Sequence, residues 1–196
     1  MLGGEEMLAV TPKEKEEEVV VTPPAASISR PGDKEIWEDI FYYKLGGVVF
    51  HLKAMAIFDK HELKGYARMH EYHAKQEFAV AVHILGDAVT HLGSNLLIDF
   101  TKAHAVPTLV VQGSTMEEKM IHGLEVYEDW EDKVYMKLKE YKHKLTDTKE
   151  HIDYLIHDVR EEREFIHELW EMIEDKKVNL EELDKKICHY YTKKMD

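Results

Sequence analysis

Apolar and polar positions alternate along this chain with helical spacing. Over residues 34–59, Trp37, Phe41, Lys44, Val48, His51 and Met55 recur every three or four positions and form one stripe of a helix. Asp33 precedes it as a candidate N-cap, with Glu35 and Glu38 in the first turns. Over residues 62–91 a matching stripe carries Tyr66, His70, His73, Glu77, Val80 and Ile84. So few residues separate the two segments that they must pack as an antiparallel hairpin. Residues 92–113 are apolar but hold Gly93, Pro107 and the β-branched pair Val110 and Val111, which do not suit a helix. A structureless loop of that length is unusual in a compact domain, so the segment reads as a crossover running the length of a bundle.

A third helix opens at Ser114 or Thr115, with Glu117 and Glu118 at capping-box spacing. Its inner face is Met120, Leu124, Tyr127, Glu131, Val134, Leu138 and Tyr141. A fourth follows residues 146–148 and turns Ile152, Ile156, Val159, Arg163, Ile166, Trp170 and Ile173 inward. A short fifth helix opens at Asn179, with Glu182 three residues on, and ends near Lys194. The pattern is all-α: a four-helix bundle with a long crossover between the second and third helices and a short C-terminal fifth helix.

Residues 1–33 differ from the rest. They hold a charge cluster at 13–18, a short β-prone run at 19–22, then Pro23, Pro24 and Pro31. Such a segment buries too little to fold alone, so it reads as a tail that is disordered or ordered only by a protein partner, with the bundle over 34–196. A length of 196 residues and 44% hydrophobic content fit one such domain. The net charge of -13 argues against nucleic acid and anionic membranes as partners, while it attracts cations. Cys188 is the single cysteine, so no intrachain disulfide can form. There is no basic n-region followed by an apolar core, and no apolar run is read as approaching the roughly 20 residues that span a bilayer. A cytoplasmic setting is the expectation.

The candidate chemistry lies on the core stripes. Lys44, His51, His70, His73 and Glu77 all point inward in this reading, and burying them is costly unless they pair or hold an ion. A hairpin register that sets Lys44 against Glu77 brings His51 level with His70. The five can form a hydrogen-bonded polar core or part of a metal site. Two to four imidazoles would favour zinc, copper or iron over calcium.

The segment Glu62-Leu63-Lys64-Gly65-Tyr66-Ala67-Arg68 resembles the stretch that opens helix two of many ferritins, and His91-Leu92-Gly93-Ser94 resembles the turn that closes it. With the helix order over residues 34–194, the chain resembles the ferritin-like superfamily. The resemblance implies an oligomeric iron-handling protein of the cytoplasm. Iron-oxidising ferritins use a carboxylate on helix one, Glu-x-x-His on helix two, and carboxylates or amides on helices three and four. Carried across, these fall on Lys44, Glu77, Val80, near Tyr127 and near Arg160. The two-metal centre therefore reads as dismantled, with ferroxidase activity in doubt.

Pairing helix four with helix three as in ferritins brings His167 near the His51–His70 level. Glu164 and His167 then share a face at Glu-x-x-His spacing. The candidate metal ligands are His51, His70, His73, Glu77, Glu131, Glu164 and His167, with iron or another transition metal as the ion. Two functions follow. One is a homo-oligomeric shell that stores or nucleates iron or another metal. The other is a non-enzymatic scaffold that binds no metal and whose tail engages a partner. The spacing His73-x-x-x-Glu77 also occurs in haemerythrin, but the His-x-x-x-His expected on its third helix is absent.

Overall fold

A computed structural model describes residues 31–92, 99–103, 111–146, 149–175 and 178–195. The tail reading over 1–33 lies outside the described residues up to residue 30. Among the described residues five α-helices follow one another: α1 (Pro31–Lys60), α2 (Lys64–Leu92), α3 (Met116–Lys144), α4 (Lys149–Glu174) and α5 (Leu180–Met195). A 3-10 turn, Phe100–Lys102, lies in the crossover and packs against α1. The α1–α2 and α3–α4 hairpins make the bundle, and α5 packs along α2.

Helix α1 begins at Pro31, a residue whose fixed φ and missing N–H suit the first helical position. Asp33 is thus inside the first turn rather than capping it. Its buried carboxylate instead accepts hydrogen bonds from the Thr146 hydroxyl at 2.7 Å and the Thr146 N–H at 3.2 Å, tying the α3–α4 turn to the start of α1. At its far end α1 closes with Glu62 in the left-handed region at φ 63, Leu63 N–H bonding Phe58 O and Glu62 N–H bonding Asp59 O. This is the Schellman arrangement, usually formed with glycine.

Gly65 next to it is required by α5. A Cβ there would sit 2.1 Å from the Asp184 carbonyl oxygen. Asp184 in turn accepts from the N–H groups of Gly65 and Tyr66 at 2.9 and 3.2 Å, so a side chain of α5 caps α2. Thr115 and Glu118 form the expected capping box on α3, and Asn179 accepts from Glu182 N–H at the start of α5.

The base of the bundle is apolar: Phe58, Leu63, Tyr66, Met69, Met120 and Leu124 are almost fully buried. Gly123 lets α3 approach, because a Cβ there would meet the Phe58 ring at 2.4 Å. By length and composition Gly32–Lys60 could span a bilayer, which corrects the reading that no apolar run is long enough. In the bundle 56% of its apolar window is buried, as a core helix requires. Arg163 and Trp170, read as inward, are half-buried; Arg163 Nε meets Asp132 at 2.6 Å. The core stripe of α4 is Ile152, Leu155, Ile156, Val159, Ile166, Leu169 and Ile173, with Ile156 inward as expected and Glu162 in phase with the stripe.

Candidate metal centre

Midway along the bundle the apolar layers give way to charged ones. Lys44 on α1 and Glu77 on α2 form a buried ion pair at 2.7 Å, as the hairpin register predicts. One level nearer the hairpin turn, His51 Nδ1 and His70 Nδ1 lie 2.9 Å apart. From α3 comes Glu131, 1% exposed, and from α4 Glu162. Glu162 is held from two sides: Tyr127 Oη donates to one carboxylate oxygen at 3.0 Å, and His73 Nδ1 lies 3.2 Å from the other. Tyr191 of α5 reaches His73 Nε2 at 3.4 Å.

Several of these groups are unfinished. Both carboxylate oxygens of Glu131, Nε2 of His51, Nε2 of His70 and Oε2 of Glu77 are buried with no hydrogen-bond partner among the described residues. Each such atom costs about 1–3 kcal/mol. His51, Glu131 and Glu162 each bring a ligand atom to within 4.8 Å of the others. An ion with bonds of about 2.1 Å holds its ligands roughly 3–3.5 Å apart, so small side-chain closures would complete a site of one nitrogen and two carboxylates.

The electrostatics point the same way. Burial pushes the His51 imidazole well below its usual range, helped by His70, His73 and Lys44. Burial likewise lowers His70, to about 3. Both therefore stay neutral, and of the two the ring that donates from Nδ1 keeps its Nε2 lone pair free for a cation. Burial, then Glu162 and Glu77, push Glu131 well above the usual carboxylate range. Burial raises Glu77 to about 7 against the pull of Lys44. Burial would lower Lys44, but the carboxylates of Glu77, Glu162, Asp158 and Glu131 more than offset it and raise its pKa. Burial would raise Glu162, yet the charge and hydrogen bond of His73, with Lys44 and Tyr127, bring it down. A single ammonium thus faces several carboxylates, which must keep protons or take up a cation.

No family model matches this chain, and no curated protein matches it. The comparison with solved structures does find relatives of shape. The chain is similar to a ferritin of Archaeoglobus fulgidus engineered to a closed form, at TM-score 0.66 and 16% identity over 81% of this chain and 96% of that one. The open-pore ferritin of the same archaeon matches at TM-score 0.66 and 17% identity over the same shares. A humanized archaeal ferritin matches at TM-score 0.66 and 14% identity, again over 81% and 96%. This is a ferritin-like fold.

Within the ferritin-like bundle the seven expected ligands divide. His51, His70, His73, Glu77 and Glu131 are all buried in one contiguous polar region. Glu164 and His167 are not part of it. Glu164 is exposed, and His167, 58% exposed, pairs with Glu128 at 2.9 Å on the outside. They sit two and five residues beyond Glu162, off the stripe that faces the core. The carboxylate of α4 that faces this region is Glu162, which sequence reading passed over; its signal was the spacing of Ile152, Leu155, Val159, Glu162, Ile166 and Leu169. Val80 is half-buried and lines an outer groove with Trp37 and His83. Arg160 is exposed, and Tyr127 acts as a support of Glu162. His51, Glu131 and Glu162 are the group that could hold an ion, while the Lys44 ammonium is paired with Glu77.

Proposed function

We propose that this ferritin-like protein is a homo-oligomeric metal-handling protein, suited to storage or nucleation rather than rapid two-metal oxidation, that binds one transition-metal ion per chain through His51, Glu131 and Glu162. The observation that carries the reading is Glu131: a carboxylate 1% exposed with neither oxygen hydrogen-bonded. Such a group is costly in an apo bundle and is offset by an ion. The mixed nitrogen and oxygen donor set suits iron or zinc, with iron favoured by the fold. His70, His73, Tyr127 and Tyr191 orient the ligands as supporting partners.

Assembly is supported by apolar side chains on the outside of the hairpin. Val49 and Leu52 on α1 and Phe78 and Val82 on α2 are each between 41% and 55% exposed. The acidic charge of -13 favours cation capture, and a cytoplasmic setting is consistent with the single cysteine.

The Lys44–Glu77 ion pair favours a second reading, in which the bundle is a scaffold and carries no metal. Elemental mass spectrometry on the purified particle, sized by light scattering in the same run, separates them. About one iron or zinc per chain in a multi-subunit particle supports the metal reading. A metal-free monomer or dimer after growth in supplemented medium supports the scaffold.

A further inference from the structure

Resting on that reading, we propose that cations reach the buried centre through the cleft between α2, α4 and α5, drawn inward by Asp158 and Glu161. The cleft has a volume of about 240 Å³ and is lined by His73 from α2, Asp158, Glu161 and Glu162 from α4, and Tyr190 and Lys194 from α5.

Exposure falls along it. Glu161 is 66% exposed at the rim, Glu162 10% and His73 7% at the floor, and Glu131 1% and His51 0% behind them. Glu162 is therefore the member of the ligand set that touches both solvent and the centre. Asp158 stands between rim and floor, near enough to Lys44 and Glu162 for each to act on its charge. A hydrated cation meets carboxylates at each level, with the walls concentrating their field.

The approach from the opposite side contrasts with this. Between α1 and α3 a cavity of about 10 Å³ is lined by Ile40, Tyr43, Lys44, Val134, Lys137, Leu138 and Tyr141, so it has room for about one water and presents two ammonium groups to a cation. One cation stands at the proposed mouth: Lys194 lies over the Tyr190 and Tyr72 rings at 4.8 and 5.3 Å. It opposes the carboxylates there and sets how fast a cation passes.

The test is stopped-flow uptake of cobalt(II) alone by the full-length protein at low ionic strength, read from the cobalt d–d absorbance, with the amount bound at equilibrium measured beside it. Lys194→Glu should speed uptake several-fold, and the double variant Asp158→Asn, Glu161→Gln should slow it about tenfold, both with unchanged stoichiometry. Lys137→Glu, on the opposite side, should leave the rate as it is. Unchanged rates in both cleft variants, or acceleration by Lys137→Glu, would overturn the route while leaving the centre intact. Wild-type protein that binds no cobalt at equilibrium would overturn the metal reading itself.

Discussion

Two adjoining layers of this bundle are built on opposite principles. At the base, Phe58, Leu63, Tyr66, Met69, Met120 and Leu124 fill the interior, and Gly65 and Gly123 let helices approach where a methyl group would collide. Apart from the Tyr66 hydroxyl, the side chains named there ask for no polar partner. One or two turns away, the layer of Lys44, His51, Glu77 and Glu131, buried like the base and opened to a cleft only at Glu162, holds orphaned oxygens and nitrogens. The first layer stabilises the fold by burial. The second costs stability in the apo protein, a cost that a cation bound as we propose would offset. The same kind of substitution should therefore have opposite signs in the two layers.

The largest effect is expected in the apolar layer. Leu124→Ala should destabilise the protein by about 2–5 kcal/mol in denaturant unfolding, through lost transfer energy and the cavity left behind. In the polar layer, Glu131→Met should stabilise the apo protein by roughly 1–3 kcal/mol, because it removes an unpaired buried carboxyl, and should abolish cation binding. Destabilisation by Glu131→Met in a metal-free preparation would break the comparison.

The pH dependence comes next. The folded-state pKa of Glu77, about 7, lies above its unfolded value, so its contribution is present in acid and lost as pH rises through about 7. His51 and His70 are lowered, so their contribution is lost as pH falls below about 6.5. Between about pH 4.5 and 6.5 the two imidazoles outweigh the one carboxyl, so stability rises with pH. Between about pH 6.5 and 7 only Glu77 of these three still titrates, so apo stability should fall there at about 1.4 kcal/mol per pH unit and level off above about pH 7, and Glu77→Gln should remove that fall in thermal melts. The smallest effect calibrates the scale outside both layers. Glu62→Gly should stabilise the hairpin turn by about 1 kcal/mol, relieving a left-handed non-glycine residue, with no change in bound metal.

Much of this was legible in the sequence where a local period sufficed. The stripes on residues 34–59 and 62–91 set Lys44 against Glu77 and His51 against His70, and the structure places both pairs so. The caps at Thr115 and Asn179 follow from spacing within one turn. The α4 stripe was harder. Positions 152, 156, 159, 163, 166 and 170 satisfy a heptad as well as 152, 155, 159, 162, 166 and 169. A rotation of one residue separates Arg163 from Glu162. The helix-four ligand pair Glu164 and His167 followed from its internal spacing, which fixes a shared face but not which way that face points. Asp184 capping α2 and Asp33 holding Thr146 join residues more than a hundred positions apart. No periodicity within one helix can report such contacts.

The most direct test is a crystal of the oligomer soaked in iron or zinc, with anomalous differences recorded at the metal edge. The account expects one strong peak per chain within bonding distance of His51 Nε2, Glu131 and Glu162, and none between Lys44 and Glu77. A soak that leaves this layer without a peak, or that places the ion at Glu128 and His167 on the surface, would contradict it.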